Sequence, residues 1–341
     1  MLGVTIWLGV HGPVAAGGGV WRTALEDETL APPTQAAELP NASFVATHPT
    51  LPVLYAVAED EPGAVATFTV GDDGGLTPLG DSAAVGDNPC HLWVGDGWIY
   101  VSCYGDGTLW AVPLAADGAL TSDVVRLPHH GSGPTARQEG PHVHSSAVVG
   151  DRLVVADLGT DSLWSYRLDG GRPGGRAART AMPAGFGPRH LLVRDGVLLV
   201  TGELSGEVAA VEWDGSGVGT VVTTIAAGTR PSVDERPPRQ LSHLTEVAGP
   251  HGLRHVLVGV RGSDTISTLR LTGDRAPVAL ELVAEVATVA SPRHFAVVGE
   301  RLLVAGALSG DVGVHRVTDG LPGPVEARVP LPGVMSVLGP P

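Results

Sequence analysis

The chain has 341 residues, 43% of them hydrophobic and 17% charged, which is ample apolar material for a core and excludes extended disorder. Its formal net charge is −15, and all 21 basic residues are Arg, so no P-loop lysine, Schiff-base lysine or lysine general base exists. The acidic balance offers no basic stripe for nucleic acid or an anionic membrane, but it leaves room for a small anion held by a local Arg cluster.

In chain order, residues 1–10 are apolar with no basic residue before them and are too short to span a bilayer; they read as a strand. No other uninterrupted apolar run approaches ~20 residues, so the expectation is a soluble, cytoplasmic protein with no membrane partner. From residue 43 onward one pattern recurs: a polar or His-bearing start, an apolar run, a Gly/Asp turn, a second apolar run, a Gly/Ser/Asp break and a third apolar run. It spans 43–70, 90–114, 143–168, 189–213, 242–271 and 293–317. His91, His144, His190, His243 and His294 mark block starts, 53, 46, 53 and 51 residues apart. Propeller repeats have periods of roughly 40–50 residues.

Each block predicts three strands. In 189–213 these are 190–193, 197–201 and 208–213, with Asp195-Gly196 as the hairpin turn. A fourth, edge strand follows, for example 221–226 or 283–289. The segment 278–289 is also the nearest rival for a helix, because short apolar runs are ambiguous. Residues 5–10 and 18–23 resemble second and third strands, and 334–338 resembles a first strand. Joined, the two termini complete a last blade and remove exposed sheet edges. The expectation is a single all-β domain over 1–341, a seven-bladed β-propeller of four-stranded antiparallel blades.

Between these runs, 170–179 reads as an exposed Gly/Arg-rich loop and 229–239 as a Pro/Arg-rich crossing between blades. The stretch from His129 and His130 to His142 and His144 (HHGSGPTARQEGPHVH) fits no tight zinc spacing and reads as a loop over the pocket. A turn near 95–98 would set Cys90 and Cys103 across from each other. A disulfide or a two-ligand metal site is conceivable, and two reduced, buried thiols are expected.

The start of the first strand and the end of the second lie at one mouth of the channel. If Arg194 pairs with Val197, Arg189 falls opposite Gly202, beside Glu203. The same count around Gly150-Asp151 sets His144 opposite Asp157. Each pair joins a basic or imidazole group to a carboxylate, the arrangement that orients a base or holds a carboxylate ionised. Glu59, His91, His142, Arg293 and His294 lie at the same level and, with Asp157, are expected to bind substrate. Single His or Arg residues at strand starts are commonly structural, and several of these would be.

The runs PHVHSSAVVGDRLVVADLGTDSLWSYRL (141–168), GPRHLLVRDGVLLVTGEL (187–204) and VLVGVRGSDTISTLRL (256–271) resemble the lactonase-type seven-bladed propellers. That family includes the propeller 6-phosphogluconolactonases and the fungal carboxy-cis,cis-muconate cyclase, and the likeness covers nearly the whole chain. It implies a site at one channel mouth built from a His, two Arg and a Glu, which fall here on His144, Arg189, Arg261 and Glu203. The N-terminal LGVHG departs from the family's Gly-Ser-Tyr-Thr opening, and GALSGD carries Ala307 where relatives often have a polar residue. Lactone hydrolysis follows as the leading expectation, with a small anionic sugar lactone as substrate and no metal or organic cofactor. Arg189 and Arg261 would hold the anion and the developing oxyanion, with Glu203 or His144 as base. Lactone-forming cyclisation and a non-catalytic binding scaffold are the alternatives. The residues leave open whether the protein is a monomer or a dimer.

Overall fold

The computed structural model describes residues 3–26, 28–95, 97–194, 196–233, 239–273 and 278–340. Its strands form seven antiparallel sheets arranged as the blades of a propeller. Blade 1 begins at Ala42–Thr47, blade 2 at Pro89–Val94, blade 3 at Val143–Val149 and blade 4 at Pro188–Arg194. Blade 5 begins at Gln240–Ala248 and blade 6 at Pro292–Val298. Blade 7 is composite: Val334–Leu338 pairs with Val4–Val10, which pairs with Gly19–Glu26. The innermost strands touch in ring order, and Val334–Leu338 packs on both Pro292–Val298 and Ala42–Thr47, closing the circle.

The second strands sit between neighbouring blades and lose both faces to packing. Val53–Ala58, Val197–Gly202 and Arg301–Gly306 are therefore buried along their whole length and read as near-continuous apolar runs. The outer strand Gly219–Ala226 instead alternates between half-buried and exposed positions. Seven apolar clusters fill the seven blade interfaces. In one, Val197, Leu199 and Val208 of blade 4 meet Leu241, Val258 and Leu269 of blade 5. Each such side chain contributes about 1.5–3 kcal/mol on burial, so every interface holds its neighbours firmly.

The edge-strand expectation for blade 5 holds over its helical rival, and one loop expectation resolves as a strand. Ala279–Ala287, inside the segment that could have been helical, is the outer strand of blade 5 and pairs with Thr265–Thr272. Arg172–Ala181, expected as an exposed loop, is the outer strand of blade 3 and pairs with Ser162–Asp169. Its Gly and Arg residues disfavour a strand in isolation, but an open ladder on a preformed blade edge overrides that weak preference. Of the 229–239 crossing, residues 234–238 lie outside the described residues, as does Asp195 of the blade 4 turn.

One irregularity repeats in all seven blades. The innermost strand carries a β-bulge where it leaves the channel mouth, so two of its residues oppose one on the second strand. In four blades a single residue is skipped: Ser43, Cys90, His144 and Arg293. In blade 7 it is Met335, while in blades 4 and 5 the shift spans Arg189–His190 and Ser242–His243. The bulge corrects the simple hairpin count. Pro188, not Arg189, lies opposite Gly202, and Val143, not His144, lies opposite Asp157.

Candidate active site

The bulges create two layers in the channel. The upper layer, at the mouth, holds Cys90, His144, Arg189 and Arg293 from the bulges and Glu59, Tyr104, Glu203 and Arg261 from just beyond or at the ends of the second strands. With Arg137 from the loop preceding blade 3, all of these except Arg189 line a cavity of about 220 Å³. The lower layer holds His91, His190, His243 and His294 with Phe44. The rings of His243 and His294 stack at 3.9 Å, and His190 Nδ1 lies 2.9 Å from His243 Nδ1. The five block-marking histidines are thus not equivalent. His144 sits at the mouth, and the other four form a floor beneath it.

Glu203 is the centre of charge. Arg189 Nε donates to its Oε2 at 2.9 Å, Arg261 Nη2 lies 2.8 Å from Oε2, and Arg137 Nη2 donates to Oε1 at 3.1 Å. His144 Nε2 lies 3.9 Å from Oε2. Burial alone would raise the Glu203 carboxyl, but Arg261, Arg189, His144 and Arg137 outweigh it and hold the group well below the usual carboxylate range. Arg189 is only 2% exposed, and burial followed by repulsion from Arg261 pushes it down to about 9. It remains a cation near neutral pH, lying behind Glu203 instead of facing the cavity.

Burial, followed by the charge of Arg189, pushes His144 well below the ordinary imidazole range, so it is neutral near neutral pH. The same two influences depress His190, and burial with the charge of the His294 site depresses His91 to about 3. His294 is also pushed down to about 3 by burial and then by Arg189. Cys90 lies beside His144, its Sγ 3.4 Å from the His144 carbonyl oxygen, and burial raises its thiol strongly. Cys90 and Cys103 are both free and buried.

The expected site residues therefore separate. His144, Glu203 and Arg261 line the cavity with Arg189 directly behind, and Glu59 and Arg293 line it from the other side. His91 and His294 belong to the floor. His142 stacks on the Tyr104 ring at 4.3 Å. Asp157 is fully buried and engaged elsewhere: it lies 2.8 Å from His129 Nδ1 and accepts from the backbone N–H groups of His142, Gly159 and Thr160. The expected His144–Asp157 neighbourhood is replaced by His144–Glu203, because the bulge turns His144 toward blade 4. Arg137 and Tyr104 went unnoticed in the sequence. Arg137 Nη2 donates to the Tyr104 hydroxyl at 2.9 Å, which ties the His-rich loop across the mouth. The one sequence clue to it was that loop's assignment above the pocket. Among the described residues no group of three or more His, Cys, Asp or Glu is placed to hold a metal ion.

Comparison with known proteins adds the family. The family model described as lactonase, 7-bladed beta-propeller, matches residues 6–338. The 6-phosphogluconolactonase of Bacillus subtilis (strain 168) is 30% identical over 280 residues, covering 79% of this chain and 78% of that protein. A periplasmic gluconolactonase of Pseudomonas aeruginosa superposes with a TM-score of 0.86 at 24% identity, over 98% of both chains. A Lactobacillus plantarum protein superposes over 100% of both chains with a TM-score of 0.86 at 23% identity. The Pseudomonas structure is that of a periplasmic protein, so membership of the fold does not fix a compartment. No helix among the described residues is long and apolar enough to cross a membrane. With the propeller closed by its own termini and the family model spanning nearly its full length, the chain belongs to the seven-bladed β-propeller lactonase family.

Proposed function

We propose that the protein is a cytoplasmic hydrolase of small anionic sugar lactones, 6-phosphogluconolactone among them, working without a metal or organic cofactor. The observation that carries this reading is the charge of the mouth. Four guanidinium groups (Arg137, Arg189, Arg261 and Arg293) face two carboxylates (Glu59 and Glu203) in a chain whose net charge is −15. A positive mouth in a negative protein concentrates and orients an anion.

The geometry supports the following roles. Glu203 has both oxygens engaged by arginines and is a poor base. His144 is neutral, at the mouth, with Glu203 facing its Nε2, so it is the group suited to accept a proton. A water oxygen attacks the lactone carbonyl carbon and gives one proton to His144. Glu203 stabilises the imidazolium that forms, and Arg261 and Arg137 face the developing oxyanion. The acyl carbon–ring oxygen bond then breaks, and the ring oxygen takes the proton back from His144, leaving the hydroxy acid. Arg189 acts through Glu203 as a positioning residue.

The test is a panel of lactones assayed by acid release above the uncatalysed rate, with and without a phosphate group. Wild type should open 6-phosphoglucono-δ-lactone, and His144→Asn should lower kcat by about 100-fold or more, the scale of a lost general base. No acceleration by wild type on any lactone, or an unimpaired His144→Asn variant, would overturn the reading.

A further inference from the structure

The cavity has two unlike walls. Blades 3, 4 and 5 supply His144, Glu203 and Arg261, with the Arg261 guanidinium 2.8 Å from the Glu203 carboxylate and the neutral His144 ring 3.9 Å from the same oxygen. On the far side of the ring, blades 1 and 6 supply Glu59 and Arg293, which flank the composite blade 7. Their only mutual contact is loose, Arg293 Nη2 to Glu59 Oε1 at 3.9 Å. Glu59 Oε2 is buried and has no hydrogen-bond partner among the described residues. It is the carboxylate oxygen of the cavity that no arginine satisfies, since both oxygens of Glu203 are taken.

An unpaired buried acceptor beside a cavity is costly unless the ligand supplies a donor, and the cost falls on any ligand that cannot. Rotation about the terminal side-chain bond of a Glu is soft, so either oxygen can turn to the cavity while the other stays near Arg293. Building on the lactonase reading, we infer that Glu59 is a specificity-determining residue that accepts hydrogen bonds from hydroxyl groups of the substrate at the end remote from the reacting carbonyl. The substrate class is then the polyhydroxylated lactones. A flat lactone without hydroxyls, of the kind a cyclisation from an unsaturated diacid yields, leaves Glu59 unpaired and is rejected. Sites built to bond a substrate hydroxyl discriminate far more steeply than apolar pockets do.

The experiment compares glucono-δ-lactone with δ-valerolactone, which has the same ring without hydroxyls, in wild type, Glu59→Ala and Glu59→Gln. The ratio of kcat/KM between the two lactones should be at least about 100 in wild type and should fall at least about 30-fold in Glu59→Ala, chiefly through KM. Glu59→Gln keeps one acceptor oxygen and should fall between them. An unchanged ratio, whether activity is lost on both lactones or on neither, overturns the assignment. Calorimetric titration with the product gluconate gives a readout independent of turnover. Wild type should bind gluconate at least about 10-fold more tightly than Glu59→Ala, the worth of a hydrogen bond to a charged acceptor. Equal binding by the two proteins, or none by wild type, sinks the inference. Absence of ring opening with intact, Glu59-dependent gluconate binding instead sinks the hydrolase reading alone.

Discussion

Arg189 Nε donates to Glu203 Oε2 at 2.9 Å across a strand pair whose register is broken between them. Both side chains are almost wholly buried, and Glu203 also carries Arg261 and Arg137. Removing the carboxylate leaves several cations facing one another in a low-dielectric site. Glu203→Gln should therefore destabilise the fold by about 3–5 kcal/mol, as breaking a buried ion pair does. It should also lower kcat by about 100-fold, since preorganised charge at the reacting centre is worth that much. Thermal unfolding followed by circular dichroism, with lactone turnover in parallel, checks both. A variant that keeps wild-type stability would mean that Glu203 is not the hub of the site.

Arg293 makes the opposite case. It lines the cavity and makes no hydrogen bond among the described residues, and its one ion pair is long. It is thus the guanidinium least committed to the protein and the natural receiver of a phosphate on the substrate. Arg293→Met should raise KM for 6-phosphoglucono-δ-lactone about 10-fold more than KM for glucono-δ-lactone, the effect of losing a charge-assisted hydrogen bond. An equal rise on both substrates would move the phosphate elsewhere, most simply to Arg137.

Much of this architecture was legible from repeats. The block starts, the Asp-Gly turns and the orphan terminal strands were enough to define seven blades, because each blade must bury both faces of its second strand. Arg189 and Glu203 were also found as neighbours, since a long guanidinium tolerates a one-residue error in register. His144 and Asp157 were not neighbours, because the bulge at His144 shifts a short imidazole beyond reach. A bulge leaves no mark in hydrophobic periodicity, so its seven-fold recurrence was invisible. Arg137 was missed for a different reason. It lies in an irregular loop, where no strand count reaches, and only the folded chain brings it to Glu203.

The buried histidines of the channel predict acid sensitivity. Burial lowers His91, His144, His190, His243 and His294 below their ordinary value of 6.5. The unfolded chain therefore binds more protons than the folded one below that value. Stability is full above pH 6.5 and falls as the pH drops toward about 3, each histidine contributing up to about 1.4 kcal/mol per pH unit. Glu203, lowered from 4.5, works in the same direction below pH 4.5. Tm should thus decline steeply between pH 7 and pH 5. His91→Phe should flatten that decline by one proton. Its Nδ1 is buried without a hydrogen-bond partner among the described residues, and Phe44 fills the equivalent place in blade 1 with its ring 4.7 Å away. A slope that His91→Phe leaves unchanged would mean that His91 does not titrate on unfolding.

Closure of the ring makes the C-terminal strand structural. Leu331, Val334 and Val337 are buried against Ile6, Leu8 and Val10, and Val334–Leu338 occupies the inner edge of blade 7. The approach is close: a Cβ on Gly9 would lie 2.5 Å from Ser336 Oγ and 2.9 Å from the Ala42 carbonyl oxygen. A chain truncated after residue 330 loses three apolar side chains from that cluster, about 4.5–9 kcal/mol at 1.5–3 each. It also bares a strand edge next to the channel, a template for intermolecular pairing. The truncated protein should be largely insoluble or should unfold at a much lower temperature. Val337→Ala, which keeps the strand, should cost only about 1–3 kcal/mol and remain soluble. Because this strand packs between Pro292–Val298 and Ala42–Thr47, the inner strands of the blades that carry Arg293 and Glu59, Val337→Ala also reports whether loosening blade 7 widens the recognition wall. If it does, KM for glucono-δ-lactone rises while kcat holds, and if the truncated chain keeps the wild-type Tm, the terminal strands do not close the ring.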